Sequence, residues 1–252
     1  MDGPAPLGVT TWLGDTDWTP DSPLRAAHRN SRFAVPLRQC PCLDSAWDSP
    51  EGVPIDAIIF GARRDDTMPL VLEAFDWAHG VFLGASMRSN ATAASEITGL
   101  VYDPMAMAPF IGYNVKDYFA HWLSLHNTVP EGVVPKMPKV FHVNWFLRDE
   151  NGKFMWPGFN ENARVIAWIL DRCAGTVSAK ATPIGLVPHS EDINVEGLTG
   201  VSKADLDALL SVDQERWRDE AASIREVFES RLMKGCDVPV PTALLDQLDM
   251  LE

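Results

Sequence analysis

The sequence predicts a fold of the α/β or α+β class, in which strands and helices intermingle and the C-terminal tail is helical. Short apolar runs that end at a glycine or a polar residue predict buried strands, the first of them at residues 55–60. Apolar residues three and four positions apart predict helices that face a core, as at residues 115–123. From residue 199 onward the signals are those of helices, which predicts the helical tail.

The first segment is expected to be irregular. Residues 1–53 are rich in proline, aspartate and tryptophan and show little periodicity, which predicts a loop-dominated lead-in. A compact domain rarely begins in this way, so the sequence indicates that the chain continues something upstream. We predict an α/β core at residues 54–198 and a helical tail at residues 199–252.

The core contains four predicted strands and two predicted helices. The segment at residues 91–99 is small, polar and terminated by glycine, which predicts either a mobile loop or a short helix. A helix is predicted from Val115 and another across residues 166–173, which ends near Gly175. The predicted strands are at residues 55–60, 70–74, 80–84 and 140–144.

The tail carries signals for helix starts and stops. Ser202 and Asp205 resemble a capping box, with aspartate in place of the usual glutamate or glutamine. An apolar stripe from Trp217 to Phe228 predicts a longer helix that ends at Gly235. Thr242 is expected to cap a last short helix.

Composition limits the classes of function. The chain has 252 residues, of which 46% are hydrophobic and 22% charged, so one large or two small domains with a sizeable core are expected. The formal charge of −14 opposes non-specific binding to nucleic acid or to an anionic membrane. We therefore expect neither partner, although local arginines can still bind a small anion.

Cysteine usage and the absence of a leader pattern predict a cytoplasmic protein. Residues 1–20 hold acidic residues and no apolar signal core, and no apolar run is long enough to span a bilayer. Cys40 and Cys42 have the wrong spacing for a zinc knuckle, and no second pair follows. Together with Cys173 and Cys236, they are predicted to be reduced thiols.

The most informative stretch combines aromatic rings with carboxamides. Phe146, Phe154 and Phe159 lie within fourteen positions, among turn residues and asparagines that end at Asn162. Rings offer flat apolar faces, and a carboxamide offers a donor beside an acceptor. The pattern suits a planar heterocycle that is stacked upon and read along its edge. An aromatic hairpin that only packs the core is the alternative.

Two arginines are candidates for binding an anion. In an extended chain Asn30 and Arg32 point the same way, so they could grip a carboxylate or phosphate and a neighbouring carbonyl. Arg63 follows the first predicted strand, and ligands of α/β sheets gather at the carboxyl ends of strands. The alternatives are a solvated loop arginine and a surface ion pair with Asp65 or Asp66.

Other familiar catalytic patterns are missing from the sequence. His79, His121 and His142 lack metal-ligand spacing and are predicted to be core or helix-face histidines. Neither a Walker-type phosphate loop nor a Gly-x-Ser-x-Gly nucleophile motif occurs, and Gly152-Lys153 lacks the glycine-rich lead. The residues alone thus indicate a heterocycle and an anion, without a complete phosphate cradle.

Taken together, many short motifs in a fixed order resemble the C-terminal part of GTP-type phosphoenolpyruvate carboxykinases. The resemblance covers about residues 8 to 190 and fades into generic helices afterwards. The motifs include Asn30-Ser-Arg-Phe33, Glu51-Gly-Val-Pro-Ile55, Phe60-Gly-Ala-Arg-Arg64, Gly112-Tyr-Asn114, Phe141-His-Val-Asn-Trp-Phe146, Phe154-Met-Trp-Pro-Gly-Phe-Asn-Glu-Asn162 and Thr182-Pro-Ile-Gly185.

The resemblance implies that residues 1–252 are a C-terminal catalytic domain, with a mixed sheet flanked by helices and a mobile lid. It implies an enzyme of gluconeogenesis that interconverts oxaloacetate and phosphoenolpyruvate. The resemblance implies GTP/GDP as the nucleotide and Mn²⁺ or Mg²⁺ as the metal cofactor. Arg32 matches a catalytic residue, and Asn30, Ser31 and Arg32 match the substrate segment. The lid is matched by Ala91, Thr92, Ala93, Ala94, Ser95 and Glu96. The nucleotide site is matched by Arg32, Arg63, Trp145, Phe146, Phe154, Phe159, Asn160, Glu161 and Asn162.

Departures from the family pattern leave alternatives open. The family's phosphate loop and metal ligands are not in the sequence, so no metal ligand is predicted here and the isolated chain is expected to be inactive. A missing N-terminal segment is an expected partner. Asn160 and Ala62 replace usual glycines, Ala163 replaces a usual serine, and the segment Ser95–Leu100 lacks a usual lysine. The alternatives are a pyrophosphate-type carboxykinase segment and a non-catalytic fragment that binds only nucleotide or organic anion.

Overall fold

The computed structural model describes residues 8–28, 31, 34–91, 98–130, 132–231 and 238–251. The chain divides into two compact units, one at residues 54–91 and 98–252 and the other within residues 1–53 and 92–97. In the described part of residues 1–53, the regular structure is a single 3₁₀ turn, Leu37–Gln39. No helix in the described ranges is both long and apolar enough to cross a membrane.

The larger unit is built on a mixed five-stranded sheet, which confirms the predicted fold class. Its order is β1-β5-β2-β7-β6, and a separate two-stranded sheet joins β3 to β4. The strands are β1 (Ala57–Gly61), β2 (Val71–Glu73), β3 (Arg88–Asn90), β4 (Leu100–Tyr102), β5 (Lys139–Val143), β6 (Lys180–Thr182) and β7 (Gly185–Val187). The helices are α1 (Trp77–Ala85), α2 (Val115–Ser124), α3 (Asn162–Ala174), α4 (Lys203–Leu209), α5 (Gln214–Glu226) and α6 (Thr242–Asp249).

Strand β1 pairs with β5 in parallel, whereas the other neighbours in the sheet are antiparallel. The register places Ala57 beside Lys139 and Gly61 beside Val143. The segments that follow β1 and β5 therefore leave the sheet at the same edge. This edge is the usual position of ligand sites in α/β sheets.

Helices cover both faces of the sheet because successive side chains of a strand point to opposite faces. On β5, Val140 packs in an apolar cluster that includes side chains of α1, α2, α5 and α6. Its neighbour Phe141 packs in a second cluster with side chains of α3 and α4. Phe141 meets Trp168 of α3 edge to face at 6.0 Å between ring centroids. The result is a three-layer arrangement with the sheet in the middle.

The prediction of a strand at residues 80–84 is wrong, because this segment belongs to helix α1. The Asp76 side chain accepts from the backbone N–H of His79 at 2.8 Å and starts the helix. A Cβ atom added at Gly80 would lie only 2.5 Å from Val140 Cγ2, and one added at Gly84 would collide with Met105 Sδ. The glycines that suggested strand ends are needed for close helix packing.

The tail is helical, as predicted. Ser202 and Asp205 form the expected reciprocal capping box at the start of α4. The apolar stripe from Trp217 lies on α5, which continues into a π-helical turn, Val227–Arg231. The predicted stop at Gly235 lies outside the described residues. Thr242 is not a cap: it is the first residue of α6, and Pro241 occupies the capping position.

Candidate functional site

Asn144 connects the two segments that leave the sheet after β1 and β5. Its side chain is fully buried and donates to the backbone carbonyls of Arg64 and Met68, both at 2.9 Å. The same carboxamide accepts from the backbone N–H groups of Arg64, at 3.1 Å, and Phe146, at 3.2 Å. All of its hydrogen-bonding capacity is thus used in holding the loops together.

An aromatic hairpin follows Asn144. The backbone of Met155 donates to Leu147 at 2.9 Å, and Arg148 and Phe154 form an antiparallel bridge. Phe146 and Phe154 meet nearly edge to face, with ring centroids 6.0 Å apart. The guanidinium carbon of Arg148 lies 3.9 Å from the centroid of the Phe154 ring, a cation–π contact. The hairpin therefore fixes two of the three predicted rings beside each other.

The third ring is presented by the loop that leads into α3. Phe159 is 86% exposed, and its neighbours Gly158 and Asn160 both have positive φ, at 81° and 73°. Asparagine tolerates the left-handed region better than most residues, so Asn160 can replace a glycine there. None of the three rings is fully buried: Phe154 is 45% exposed and Phe146 is half-buried. The alternative of an aromatic hairpin that only packs the core does not describe them.

The side-chain carboxamide of Asn162 is held by a hydrogen bond to its oxygen. The indole N–H of buried Trp156 donates to Asn162 Oδ1 at 2.9 Å. Because an indole nitrogen is only a donor, the accepting atom must be the oxygen. Among the described residues the amide nitrogen has no hydrogen-bond partner, so its two N–H groups remain to donate.

Trp145 and Glu161 are predicted site residues that the fold uses in other contacts. Trp145 is half-buried and packs against the apolar cluster under α3. The carboxylate of Glu161 accepts from Arg164 Nε at 2.6 Å. Arg164 also donates to two backbone carbonyls, of Asn194 at 2.7 Å and Glu196 at 3.0 Å. These contacts brace the start of α3 and the loop before it.

Arg63 lies at the carboxyl end of β1 and is tied to β3. Its backbone N–H donates to Ser89 Oγ at 3.0 Å, and its Nε donates to the Asn90 carbonyl at 3.1 Å. The backbone N–H of Asn90 donates back to the Arg63 carbonyl at 2.7 Å. The side chain is half-buried. These bonds orient the guanidinium without occupying its two terminal nitrogens.

The neighbouring arginine, Arg64, forms a buried ion pair with Glu220, whereas the sequence suggested a surface ion pair with Asp65 or Asp66. Arg64 is buried and binds both carboxylate oxygens of Glu220 on α5, at 2.7 and 2.9 Å. Arg88 of β3 binds the same carboxylate at 2.5 Å, and Asp66 lies 3.8 Å from Arg64. We call Arg64, Arg88 and Glu220 the Glu220 cluster. It anchors both chain segments that hold Arg63.

Local sequence analysis missed Glu220, Arg88 and Asn144. Glu220 and Arg64 are 156 positions apart, so no local pattern joins them. One signal was present: Glu220 interrupts the apolar stripe of α5, three residues after Trp217 and one before Ala221. A carboxylate in a buried stripe requires cationic partners.

The remaining predicted residues are described only in part. Asn30 and Arg32 lie outside the described residues. Ser31 is exposed and donates from its backbone N–H to the His28 carbonyl at 2.9 Å. Residues 92–96 of the predicted lid, Thr92, Ala93, Ala94, Ser95 and Glu96, also lie outside. Ala91 donates to the Gly99 carbonyl at 2.9 Å, at the end of the β3–β4 pair.

Buried histidines are not arranged as metal ligands. Burial lowers the pKa of His79 to about 4, and its Nδ1 accepts from the Phe75 backbone N–H at 3.0 Å. Burial, assisted by the charge of Arg64, lowers the pKa of His142 to about 3. Within the described ranges, no three or more His, Cys, Asp or Glu side chains are grouped to hold a metal ion.

Comparison with known proteins gives consistent results. The family model of the phosphoenolpyruvate carboxykinase C-terminal P-loop domain matches residues 1–252. A cytosolic phosphoenolpyruvate carboxykinase [GTP] of Gallus gallus is 48% identical over 242 residues, or 95% of this chain and 38% of its own length. A mitochondrial enzyme of the same name from Mus musculus is 49% identical over 256 residues, which cover 100% of this chain and 38% of that protein.

A bacterial relative shows the same degree of similarity. The phosphoenolpyruvate carboxykinase [GTP] of Chlamydia muridarum is 48% identical over 250 residues, which cover 98% of this chain and 40% of that protein. The chain thus spans about two fifths of the length of these curated relatives.

Proposed function

We propose, from the fact that this chain belongs to the GTP-dependent phosphoenolpyruvate carboxykinase family, that it carries the guanine-nucleotide site of such an enzyme. The observation that supports the proposal most is the common exit of two segments from parallel strands. Arg63 follows β1, the aromatic hairpin follows β5, and Asn144 ties them together. A nucleotide needs this pairing of a cation for its phosphates and apolar faces for its base.

The three phenylalanines provide stacking surfaces for the base. Stacking of a base on an aromatic side chain contributes about 1–3 kcal/mol in nucleic-acid complexes. Phe146 and Phe154 are already in contact, so they lose little conformational freedom when a base binds. Phe159 is exposed on the neighbouring loop and closes on the base from solvent.

Asn162 supplies preference for guanine. Guanine carries an acceptor, O6, where adenine carries a donor, the N6 amino group. With its oxygen bonded to Trp156, Asn162 offers only N–H donors to the ligand. A donor facing O6 forms a hydrogen bond, whereas the same donor facing an adenine amino group leaves two donors opposed. Guanine is therefore the favoured base.

Arg63 neutralises the phosphate end. Phosphoryl transfer depends mainly on positioning and on stabilising charge at the transferring group. A guanidinium is permanently charged and matches the geometry of phosphate oxygens. Arg63 is oriented through Nε, which leaves its terminal nitrogens for the nucleotide. Arg32 is proposed to stabilise the same transferring group from the substrate side.

The proposed reaction converts oxaloacetate and GTP into phosphoenolpyruvate, GDP and CO₂. Asn30, Ser31 and Arg32 are proposed to bind the organic acid by charge-assisted hydrogen bonds. Decarboxylation leaves an enolate, which must be kept from water until it accepts the phosphoryl group. The lid, residues 91–96, is proposed to exclude that water.

A divalent cation, Mn²⁺ or Mg²⁺, would add charge neutralisation at the phosphates when bound. The donor sets of the described residues do not fit such an ion, so we assign no step of the reaction to metal ligands of this chain. We propose accordingly that the 252 residues alone do not turn over and that further ligands come from an N-terminal segment. A cytoplasmic location stays a prediction, since relatives named cytosolic and mitochondrial both match.

Calorimetric titration of the purified chain with GDP, ADP and pyrophosphate tests the proposal. We expect GDP to bind more tightly than ADP, and Phe159→Ala to weaken GDP binding by about tenfold, the value of one lost stack. Leu170→Ala, a change at another exposed apolar side chain, is the matched control and leaves binding unchanged. Equal binding of GDP and ADP contradicts the proposal, and binding of pyrophosphate with indifference to guanine supports a pyrophosphate-type segment.

A further inference from the structure

Cys40 and Cys42 place two exposed sulfur atoms in contact. Their Sγ atoms are 3.6 Å apart, and both side chains are exposed. The backbone around them is a compact turn: the Cys40 N–H donates to the Leu37 carbonyl at 2.9 Å, and Leu43 N–H donates to the Cys40 carbonyl at 3.3 Å. Pro41 fixes its own φ between them. The pair is held together by its turn before any bond forms.

We propose that Cys40 and Cys42 are a site of reversible oxidation, at which a hydroperoxide converts the two thiols into one intrachain disulfide. A disulfide bond is about 2.05 Å long, so the sulfurs must approach by about 1.5 Å. Rotation of the two exposed side chains supplies this movement without disturbing a core. The proposal is independent of nucleotide binding.

The two sulfurs have different roles. The pKa of the Cys42 thiol is raised, first by its hydrogen bond with Cys40 and then by the charge on Cys40. We therefore assign Cys42 the role of the resolving cysteine and Cys40 that of the attacking one. A thiolate beside a protonated thiol is the arrangement of an attacking and a resolving cysteine.

The reaction balances with hydrogen peroxide as oxidant. The Cys40 thiolate attacks one peroxide oxygen, the O–O bond breaks, and the departing hydroxide takes up a proton to give water. This leaves Cys40 as a sulfenic acid. The Cys42 sulfur then attacks the Cys40 sulfur, the S–O bond breaks, and the hydroxide leaves as water with the Cys42 proton. Two thiols lose two electrons in total, and one peroxide becomes two waters.

The bond is expected to be easily reduced. Exposed and strained disulfides have more oxidising potentials than buried structural ones. A ring closed by a single intervening residue, with proline at that position, is both exposed and constrained. The pair is therefore a labile modification site and not a structural cross-link.

Cys173 is a natural comparison. It is partly buried, and burial is the largest cause of the raised pKa of its thiol. Its Sγ contacts the Asp56 carbonyl at 3.7 Å. Among the described residues, no second cysteine sulfur lies in contact with it to act as a resolving partner.

The test is thiol mapping of the purified chain after a short exposure to hydrogen peroxide. The reaction is quenched with N-ethylmaleimide and followed by intact-mass and peptide mass spectrometry. We expect a monomer that has lost two hydrogens, with Cys40 linked to Cys42 and the thiols restored by dithiothreitol. Their oxidation should exceed that of Cys173 by at least about tenfold, because intramolecular capture works at a far higher effective concentration.

Two variants complete the experiment. Cys42→Ser should abolish the intrachain disulfide and leave Cys40 as a sulfenic acid or as a disulfide between two chains, whereas Cys173→Ser should change nothing. The proposal is overturned if wild-type chains form only interchain dimers, if Cys173 is oxidised as fast as the pair, or if the pair resists peroxide altogether. The Cys42 side chain is exposed and that of Cys173 is only partly buried, so both variants are expected to fold.

Discussion

Two buried carboxylates, one near each end of the central sheet, are held by the same chemistry. Glu73 on β2 binds Lys139 Nζ at 2.6 Å and Arg172 Nε at 2.5 Å. Lys139 is the first residue of β5, so this Glu73 cluster marks the amino end of that strand. The Glu220 cluster holds Arg64, which follows the carboxyl end of β1.

The difference between the two clusters lies in what each supports. The Glu73 cluster joins β2 to β5 and α3, and none of its three side chains contacts Arg63. The Glu220 cluster holds Arg64, next to Arg63 in the chain, and Arg88 on the strand that binds Arg63. Each cluster pairs one buried carboxylate with two cations, but the consequences differ. The Glu73 cluster stabilises the fold, whereas the Glu220 cluster also positions the proposed phosphate-binding arginine.

The largest expected effect is on stability, and it applies to both clusters. Glu220→Gln and Glu73→Gln each leave two cations without their carboxylate, which costs about 3–5 kcal/mol in buried ion pairs. Urea denaturation of both variants measures the loss. Only Glu220→Gln is expected to accelerate amide hydrogen exchange at Arg63 and Asn90. Equal acceleration in Glu73→Gln would show that the two clusters do not divide these roles.

The next effect is a dependence of stability on pH that involves His142, which lies on β5 between the two ends. Its pKa of about 3 in the folded state is below the ordinary value of 6.5, so the unfolded chain binds the proton more readily. His79, with a pKa of about 4, acts in the same direction. Stability contributed by these neutral rings is complete above pH 6.5 and is lost as pH falls toward 4 and 3.

Replacement of His142 tests this pH dependence. His142→Leu should flatten the fall in unfolding free energy between pH 6.5 and pH 4 by about 3 kcal/mol, as measured by urea denaturation at each pH. Both ring nitrogens of His142 lack a hydrogen-bond partner in the described structure, so the change removes no hydrogen bond. An unchanged slope would contradict the assignment of the effect to this ring.

The sequence predicted the strands and helices better than it predicted the Glu73 and Glu220 clusters. Apolar runs identified β1, β2 and β5, although β1 is an edge strand in which only Phe60 is buried, so the prediction of a buried strand there was wrong about its burial. Helix α1 was misread since Gly80 and Gly84 serve contacts with Val140 and Met105, which only the fold brings close. The short strands β6 and β7 carry no comparable run and were not predicted.

The proposed site shows the same limit. The sequence could nominate Arg63 and Arg64 together after β1, but only the distant Glu220 distinguishes the buried arginine from the half-buried one. Likewise, Asn144 and Asn162 have the same side chain. The amide nitrogen of Asn144 is bonded to the carbonyl of Arg64, 80 positions away in the chain. In Asn162 only the oxygen is bonded, by Trp156, so its amide nitrogen remains available.

A smaller effect is expected on the affinity for GDP, and it distinguishes Arg63 from other cationic side chains. Arg63→Met should weaken GDP binding by about tenfold or more, since a hydrogen bond to a charged group contributes about 1.5–3 kcal/mol. Guanosine, which lacks phosphates, should bind as before. Lys153→Met, at an exposed cation of the hairpin turn, is the control. Equal loss of GDP and guanosine affinity in Arg63→Met would mean that the arginine supports the fold of the base site instead.

The smallest effect concerns the hairpin itself. Arg148→Met removes the cation–π contact with Phe154 and a hydrogen bond from the guanidinium to the Gly152 carbonyl, and it should lower stability by about 1 kcal/mol, as expected for exposed contacts. The shift of the urea midpoint measures it. A loss as large as that of Glu220→Gln would show that Arg148 has a deeper structural role.

The most direct test of the central claim, that one nucleotide bridges Arg63 and the aromatic hairpin, is a titration of isotope-labelled chain with GDP followed by NMR. We predict that signals of Arg63 Nε–H, Phe159 and the Asn162 side-chain amide shift together along one binding curve, while those of Lys139 and Arg172 at the amino end of the sheet stay in place. Shifts confined to the hairpin, or centred on the Glu73 cluster, would contradict it.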